Sequence, residues 1–305
     1  MAAKADGQSV LGKHLAASDK RTRDRAVEAL EAWLRAQKGP DELALAKLWK
    51  ALYYCYWMSD LAPVQAELAE RLAAAVDVYS DTPRACAYLR SFWVTLKREW
   101  QGIDRLRLDK FYSLARAFVR ASVRHIARRR WSRELVAGVG AAWAEVVLPS
   151  HPLALRYHLA DCLVEEVAAA APDVSHEHFT WILEAFDGVL ADCDDQTVVR
   201  RVLTGVYEKA GEAALRAAER AAGRDGATSD DEDDEELSLA DRTYKAALKL
   251  REPALPNVDA GALAAHLFDI ASDADTRGRQ RKELYRASKA LKAVAAQIEA
   301  LQAAS

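Results

Sequence analysis

Four arginines recur at four-residue intervals near the middle of this sequence, and they are its most suggestive chemical groups: Arg116, Arg120, Arg124 and Arg128. At about 100° per residue this spacing places them along one side of a helix, opposite an apolar row that includes Phe111, Phe118 and Ile126. Acidic residues are sparse nearby. A guanidinium row without neutralising neighbours suits phosphates or other anions, whereas a solvated cationic face without a ligand is the alternative interpretation.

Patterns for catalysis, metals or nucleotides are missing from the sequence. Neither a GxxxxGK[ST] phosphate loop nor a GxSxG nucleophile motif occurs. His176 and His178 are two residues apart and so do not share a helix face, which argues against a metal site with Cys162 or Cys193. We therefore expect no enzyme, no cofactor and no metal. No apolar run is long enough to cross a membrane, so no membrane association is expected.

The sequence around the arginine row resembles a known family, the ribosomal RNA processing protein 1 family of nucleolar Nop52 type. The resemblance rests on GKHLAASDKRTRDRAVEALEAWL, LAKLWKALYYCYWMSDLAPVQAELAERLA and FWVTLKREWQGIDRLRLDKFYSLARAFV, and it is clear over residues 9–190. The late segment TRGRQRKELYRASKAL is also similar to a basic helix of that family. The resemblance implies a nucleolar assembly factor of the large ribosomal subunit, without catalysis, that is needed for pre-rRNA processing including the internal transcribed spacer.

The resemblance also implies partners and a candidate contact surface. Members act on large-subunit pre-ribosomal particles beside other assembly factors, among them a Brix-domain protein and a WD-repeat protein, and contact with pre-rRNA is direct or indirect. A HEAT-like protein-binding adaptor outside ribosome assembly is the alternative. The candidates for contact with RNA or a partner are Lys97, Arg98, Arg105, Arg107, Lys110, Arg116, Arg120, Arg124, Arg128, Arg129 and Arg130.

Helical periodicity with short Pro, Gly and Asp turns runs through most of the chain. Ser18, Asp41, Ser59-Asp60 and Asp81 are predicted to begin the first four helices, and the aromatic residues of residues 41–58 are predicted to form core. Alternating strand patterns are absent. The sequence predicts an all-α fold, an irregular HEAT-like helical-repeat array (α-solenoid) with a terminal basic amphipathic helix.

Domain organisation follows from composition. Residues 1–222 are predicted to form the helical-repeat domain, and residues 223–236, GRDGATSDDEDDEE, an acidic disordered linker. Residues 237–305 are predicted to be C-terminal helices that pack on the array or extend it. Ser229 precedes a run of acids and is a possible phosphorylation site. The chain has a formal net charge of -3, and most of the acidic excess lies in this run, so the remainder is mildly basic.

Overall fold

A computed structural model describes residues 13–15, 17, 19–39, 41–223 and 252–304. Over these residues the protein is built of helices and has no strand, so the predicted all-α helical-repeat architecture is confirmed. The α-helices are α1 Lys20–Ala36, α2 Glu42–Trp57, α3 Ala62–Ala74, α4 Thr82–Glu99, α5 Leu108–Arg128, α6 Arg133–Ala141, α7 Leu153–Ala170, α8 His176–Asp192, α9 Gln196–Val202, α10 Lys209–Ala221, α11 Ala260–Ser272 and α12 Gly278–Ala303. Short 3-10 turns occupy Ala75–Val78 and Trp100–Gly102, and π-helical turns occupy Ala142–Val147 and Leu203–Glu208.

Aspartates cap three of the first four helices, because a short carboxylate can accept the backbone N–H groups that a first turn leaves unpaired. Asp19 accepts from the backbone N–H of Thr22 at 2.9 Å, and Asp41 and Asp81 do the same for α2 and α4. Asp19 therefore takes the place predicted for Ser18, which lies outside the described residues.

The predicted cap of α3 at Ser59-Asp60 is wrong. This helix begins at Ala62 without a side-chain cap, and Pro63 lies in its first turn. Ser59 is buried, and its carbonyl oxygen accepts hydrogen bonds from Lys110 and Gln65. Tertiary contacts therefore fix this junction, where the sequence pattern indicated a local cap.

The first compact unit of the chain ends at Val147, and its core is aromatic. Phe92 of α4 stacks on Phe118 of α5 with ring centroids 3.6 Å apart, and Trp49 of α2 lies 5.1 Å and 5.2 Å from these two rings. Tyr53 stacks on Phe111 at 5.0 Å. The prediction that the aromatic residues of α2 form core is confirmed for Trp49, Tyr53 and Tyr56.

The second compact unit begins at Leu148. Within it α12 packs on α11 and α10, and Leu284, Ala287 and Leu291 of α12 are buried. The π turn of residues 203–208 lies against α7, where a Cβ added to Gly205 would stand 2.9 Å from the Ala160 carbonyl oxygen. Only glycine allows the two backbones to approach so closely.

Packing divides the described chain after Val147, whereas the sequence suggested a boundary after residue 222. The domain assignment 1–222, 223–236 and 237–305 stays a prediction, because residues 224–251 lie outside the described part. Ser229, the acidic run and the first part of the predicted C-terminal helical region lie in that segment.

Candidate basic interface at the two ends of α5

Helix α5 carries most of the predicted site, and it is buried on more sides than its sequence pattern indicated. Phe111, Phe118 and Ile126 point into the core as expected. The opposite side is also covered, because α3 and the following 3-10 turn pack along it. Arg116 is 5% exposed and Arg120 is 7% exposed. The expected solvent-facing row is therefore wrong for these two arginines.

Acids from a distant part of the sequence neutralise the row. Arg120 forms an ion pair with Glu70 of α3. Asp77, in the 3-10 turn, accepts hydrogen bonds from His125 at 2.9 Å and from Arg128 at 2.5 Å. Arg124 also faces this carboxylate, with its Nε 4.0 Å away. Burial raises the pKa of Asp77, but the hydrogen bond from His125 and the nearby arginines outweigh it, so that this pKa lies below its usual value.

Lys110, at the start of α5, is a buried side chain with a structural role. It is 8% exposed, and its ammonium donates to the carbonyl oxygens of Trp57 and Ser59 at 2.7 Å and 2.8 Å. The Trp57 oxygen belongs to the last residue of α2, where carbonyls have no partner within the helix, and the Ser59 oxygen lies two residues beyond it. Lys110 therefore caps α2 from another helix, and burial lowers the pKa of its ammonium.

Two further candidates are held by contacts within the fold. Arg107 donates to Asp104 at 2.6 Å and lies 5.2 Å above the ring of Trp57. Lys97 of α4 donates to the Val146 carbonyl oxygen at 2.6 Å. Both side chains are half-buried, and these contacts account for their position without a ligand.

The exposed candidates lie at the two ends of α5. Arg98 and Arg105 stand near its beginning, and Arg128, Arg129 and Arg130 at its end. A helix of 21 residues is about 30 Å long, so these are two separate cationic surfaces and not one row. We call them the first and the second arginine cluster.

The second arginine cluster is shaped by an unusual turn. Arg130 and Trp131 both have left-handed backbone angles, with φ of 52° and 58°. Such angles cost about 1–2 kcal/mol for each non-glycine residue, so the surrounding structure must hold this turn in place. Arg129 contributes by donating to the Tyr79 carbonyl oxygen at 2.5 Å. The turn leaves the Arg130 side chain exposed to solvent.

Other residues that could do chemistry, such as His176, Cys55 and Cys86, are buried or half-buried within the fold. His176 Nδ1 accepts from the backbone N–H of Asp259 at 3.3 Å. Burial raises the pKa of the Cys55 thiol to about 12 and that of Cys86 to about 11, so neither is a reactive thiolate at neutral pH. Among the described residues no group of three His, Cys, Asp or Glu side chains could hold a metal ion, and no helix is long and apolar enough to cross a membrane.

Sequence reasoning missed Glu70 and Asp77, the acidic partners of the arginine row, and His125, which shares Asp77 with these arginines. The acids are about 50 residues from the arginines that they contact, and nothing in the local pattern indicates the pairing. The spacing of Arg116 and Arg120 is the same whether a helix faces water or a neighbouring helix. Only tertiary packing distinguishes the two.

Fold and site together define a class of protein: an all-α helical scaffold whose surface carries two exposed arginine clusters. Comparison with known sequences identifies the family within this class. The model of the Nop52 family, described as nucleolar protein, matches residues 6–288. The chain therefore belongs to the Nop52 family of nucleolar proteins, as the resemblance of its sequence segments suggested.

Relatives from mammals and a nematode share about 30% of aligned residues with the chain. Human ribosomal RNA processing protein 1 homolog A is 28% identical over 326 residues, covering 94% of this chain and 71% of that protein. The mouse homolog B is 32% identical over 205 residues, covering 64% of this chain and 28% of that protein. The Caenorhabditis elegans homolog is 30% identical over 206 residues, covering 66% and 51%. The chain thus spans little more than a quarter of the mouse homolog B.

Proposed function

We propose that this chain is a non-enzymatic assembly factor of the large ribosomal subunit, needed for pre-rRNA processing within nucleolar pre-ribosomal particles. The observation that carries the proposal is the Nop52 match across residues 6–288, together with relatives named ribosomal RNA processing protein 1 homolog. Maturation of the internal transcribed spacer is the finer step that we assign to it. Two observations support a scaffold role. Both compact units are built of packed helices, and the chain matches a family of nucleolar proteins whose relatives are named for ribosomal RNA processing.

The two arginine clusters are the proposed contact surfaces for pre-rRNA or for other assembly factors. Arg98, Arg105 and Arg130 are exposed and project from loops or helix ends. Guanidinium groups pair well with phosphates because their planar donors match two oxygens at once. Brix-domain and WD-repeat proteins of the large-subunit precursor are the proposed protein partners. Arg116, Arg120 and Lys110 support these surfaces from inside the unit.

The proposal is tested by purifying the tagged chain from cells and probing the copurified RNA for large-subunit precursors and their spacers. We expect enrichment of spacer-containing precursor, and depletion of the chain should make the same precursor accumulate. Copurification of proteins without precursor RNA, and unchanged processing on depletion, would contradict the proposal. That result would favour a protein-binding adaptor outside ribosome assembly.

A further inference from the structure

One side of α2 is open to solvent and carries a single row of three apolar and two basic side chains. This row, the α2 stripe, consists of Leu43, Lys47, Lys50, Tyr54 and Met58, which are three or four residues apart and so share one helix face. The apolar members are 66%, 51% and 70% exposed. The opposite side of the same helix is buried in the aromatic core. Apolar side chains exposed in a row are typical of a surface that another molecule covers.

The charge of the α2 stripe is positive. Lys47 and Lys50 are exposed in its middle and take no part in the ion pairs of the described residues. The nearest acids along the sequence lie at the two ends of the helix: the cap Asp41, the first helical residue Glu42, and Asp60 after the helix. The centre of the stripe is therefore complementary to carboxylates.

We propose that the α2 stripe docks an acidic amphipathic helix of a partner protein. From Leu43 to Met58 the stripe is about 22 Å long, which corresponds to about four turns of a facing helix. Such a helix would set its apolar side chains against those of the stripe and its carboxylates against Lys47 and Lys50. Apolar contact supplies the buried area, and the charges select the partner and its register.

Two other occupants fit the α2 stripe less well. A surface that tracks a nucleic-acid strand needs a denser row of cations and several stacking rings, whereas this one has two lysines and the single ring of Tyr54. A second copy of the chain, paired about a two-fold axis at the centre of the stripe, would set Lys50 against its own equivalent, and like charges repel. An acidic helix meets neither difficulty.

The test is a binding measurement on the full chain with three fluorescent probes. The first probe is a helical peptide of about 18 residues with leucines along one face and glutamates beside them, long enough to span the stripe. The second replaces every glutamate by lysine, and the third is a single-stranded RNA of uridines. Two double variants, Tyr54→Ser with Met58→Ser and Lys47→Glu with Lys50→Glu, remove the apolar and the charged part of the stripe. A matched control changes Lys282 and Lys289, exposed on α12, to glutamate.

We expect the acidic peptide to bind more tightly than the basic peptide, and both stripe variants to weaken it about tenfold or more. The charge-reversed variant should then prefer the basic peptide, while the α12 control binds like the wild type. Equal or undetectable binding of the two peptides would overturn the proposal. So would preferential RNA binding that the stripe variants abolish, or self-association of the chain that they abolish.

Discussion

Replacing Arg120 should damage the fold and not merely a surface. Its side chain is 8% exposed and pairs with Glu70, which is 34% exposed. Arg120→Glu would place a second carboxylate in a buried position opposite the first. Breaking a buried pair costs about 3–5 kcal/mol, and we expect about 4 kcal/mol here because like charges replace an attraction. At about 2–4 °C per kcal/mol for a unit of this size, Tm should fall by about 8–16 °C.

Arg120→Met provides a milder change, in case the charge reversal prevents folding. It keeps most of the side-chain volume and removes the charge, and the partly exposed Glu70 can regain water. We therefore expect a loss of about 1–2 kcal/mol. The matched control is Arg105→Glu, an exposed position, which should leave Tm within about 1–2 °C of the wild type.

Thermal unfolding followed by circular dichroism at 222 nm measures all three variants. We expect the order Arg105→Glu, Arg120→Met, Arg120→Glu from most to least stable. Unfolding of Arg120→Glu at the wild-type temperature would refute the buried ion pair, since Arg120 would then be solvated. In that case the arginine row would face water and would again be the candidate contact surface.

Three further predictions concern other parts of the structure. Lys110→Met should lower the free energy of unfolding by about 2–3 kcal/mol, because two carbonyl oxygens lose a charged donor. Amide hydrogen exchange at the end of α2 should become faster, and unchanged exchange there would contradict the cap. The hydrogen bond to Asp187 raises the pKa of His266 although burial opposes it, so this stabilisation is complete below about pH 6.5 and is lost as pH rises through the raised pKa. The Tm advantage of the wild type over His266→Gln should therefore shrink as pH rises above about 6.5, and a difference that stays constant with pH would exclude this pairing. Gly205→Ala should destabilise the protein by about 1–3 kcal/mol, because the added methyl group clashes with the α7 backbone. Gly188→Ala, with open space around its Cα, should stabilise it by up to about 1 kcal/mol. Equal effects of the two changes in thermal unfolding would count against the close approach at Gly205.

The sequence predicts the helices of this fold well because their signals are local. Asp41, Pro63 and Asp81 stand at or near the beginnings of α2, α3 and α4, and helical spacing correctly marks Trp49 and Phe118 as core. Caps and periodicity depend on residues within one or two turns.

The accessibility of the arginines was not predictable in this way. Arg116 and Arg120 follow the spacing of an exposed charged face, but α3 covers them and supplies Glu70 from 50 residues away. The π turns were not predicted either: the turn at residues 203–208 separates α9 from α10, at the place where Gly205 meets α7. Both features arise from contacts between distant segments, which local spacing does not encode.

On our proposal, the exposed ends of α5 bind the pre-ribosome, while its buried arginines stabilise the fold. The most direct measurement is the amount of spacer-containing precursor RNA that copurifies with a double variant, Arg105→Glu with Arg130→Glu, per amount of folded protein. Its control is Arg25→Glu with Lys38→Glu, two exposed positions of the same unit. We expect a loss of about tenfold or more for the first variant at unchanged Tm, and wild-type recovery for the control. Wild-type recovery of precursor RNA by the Arg105/Arg130 variant would show that the ends of α5 do not make this contact.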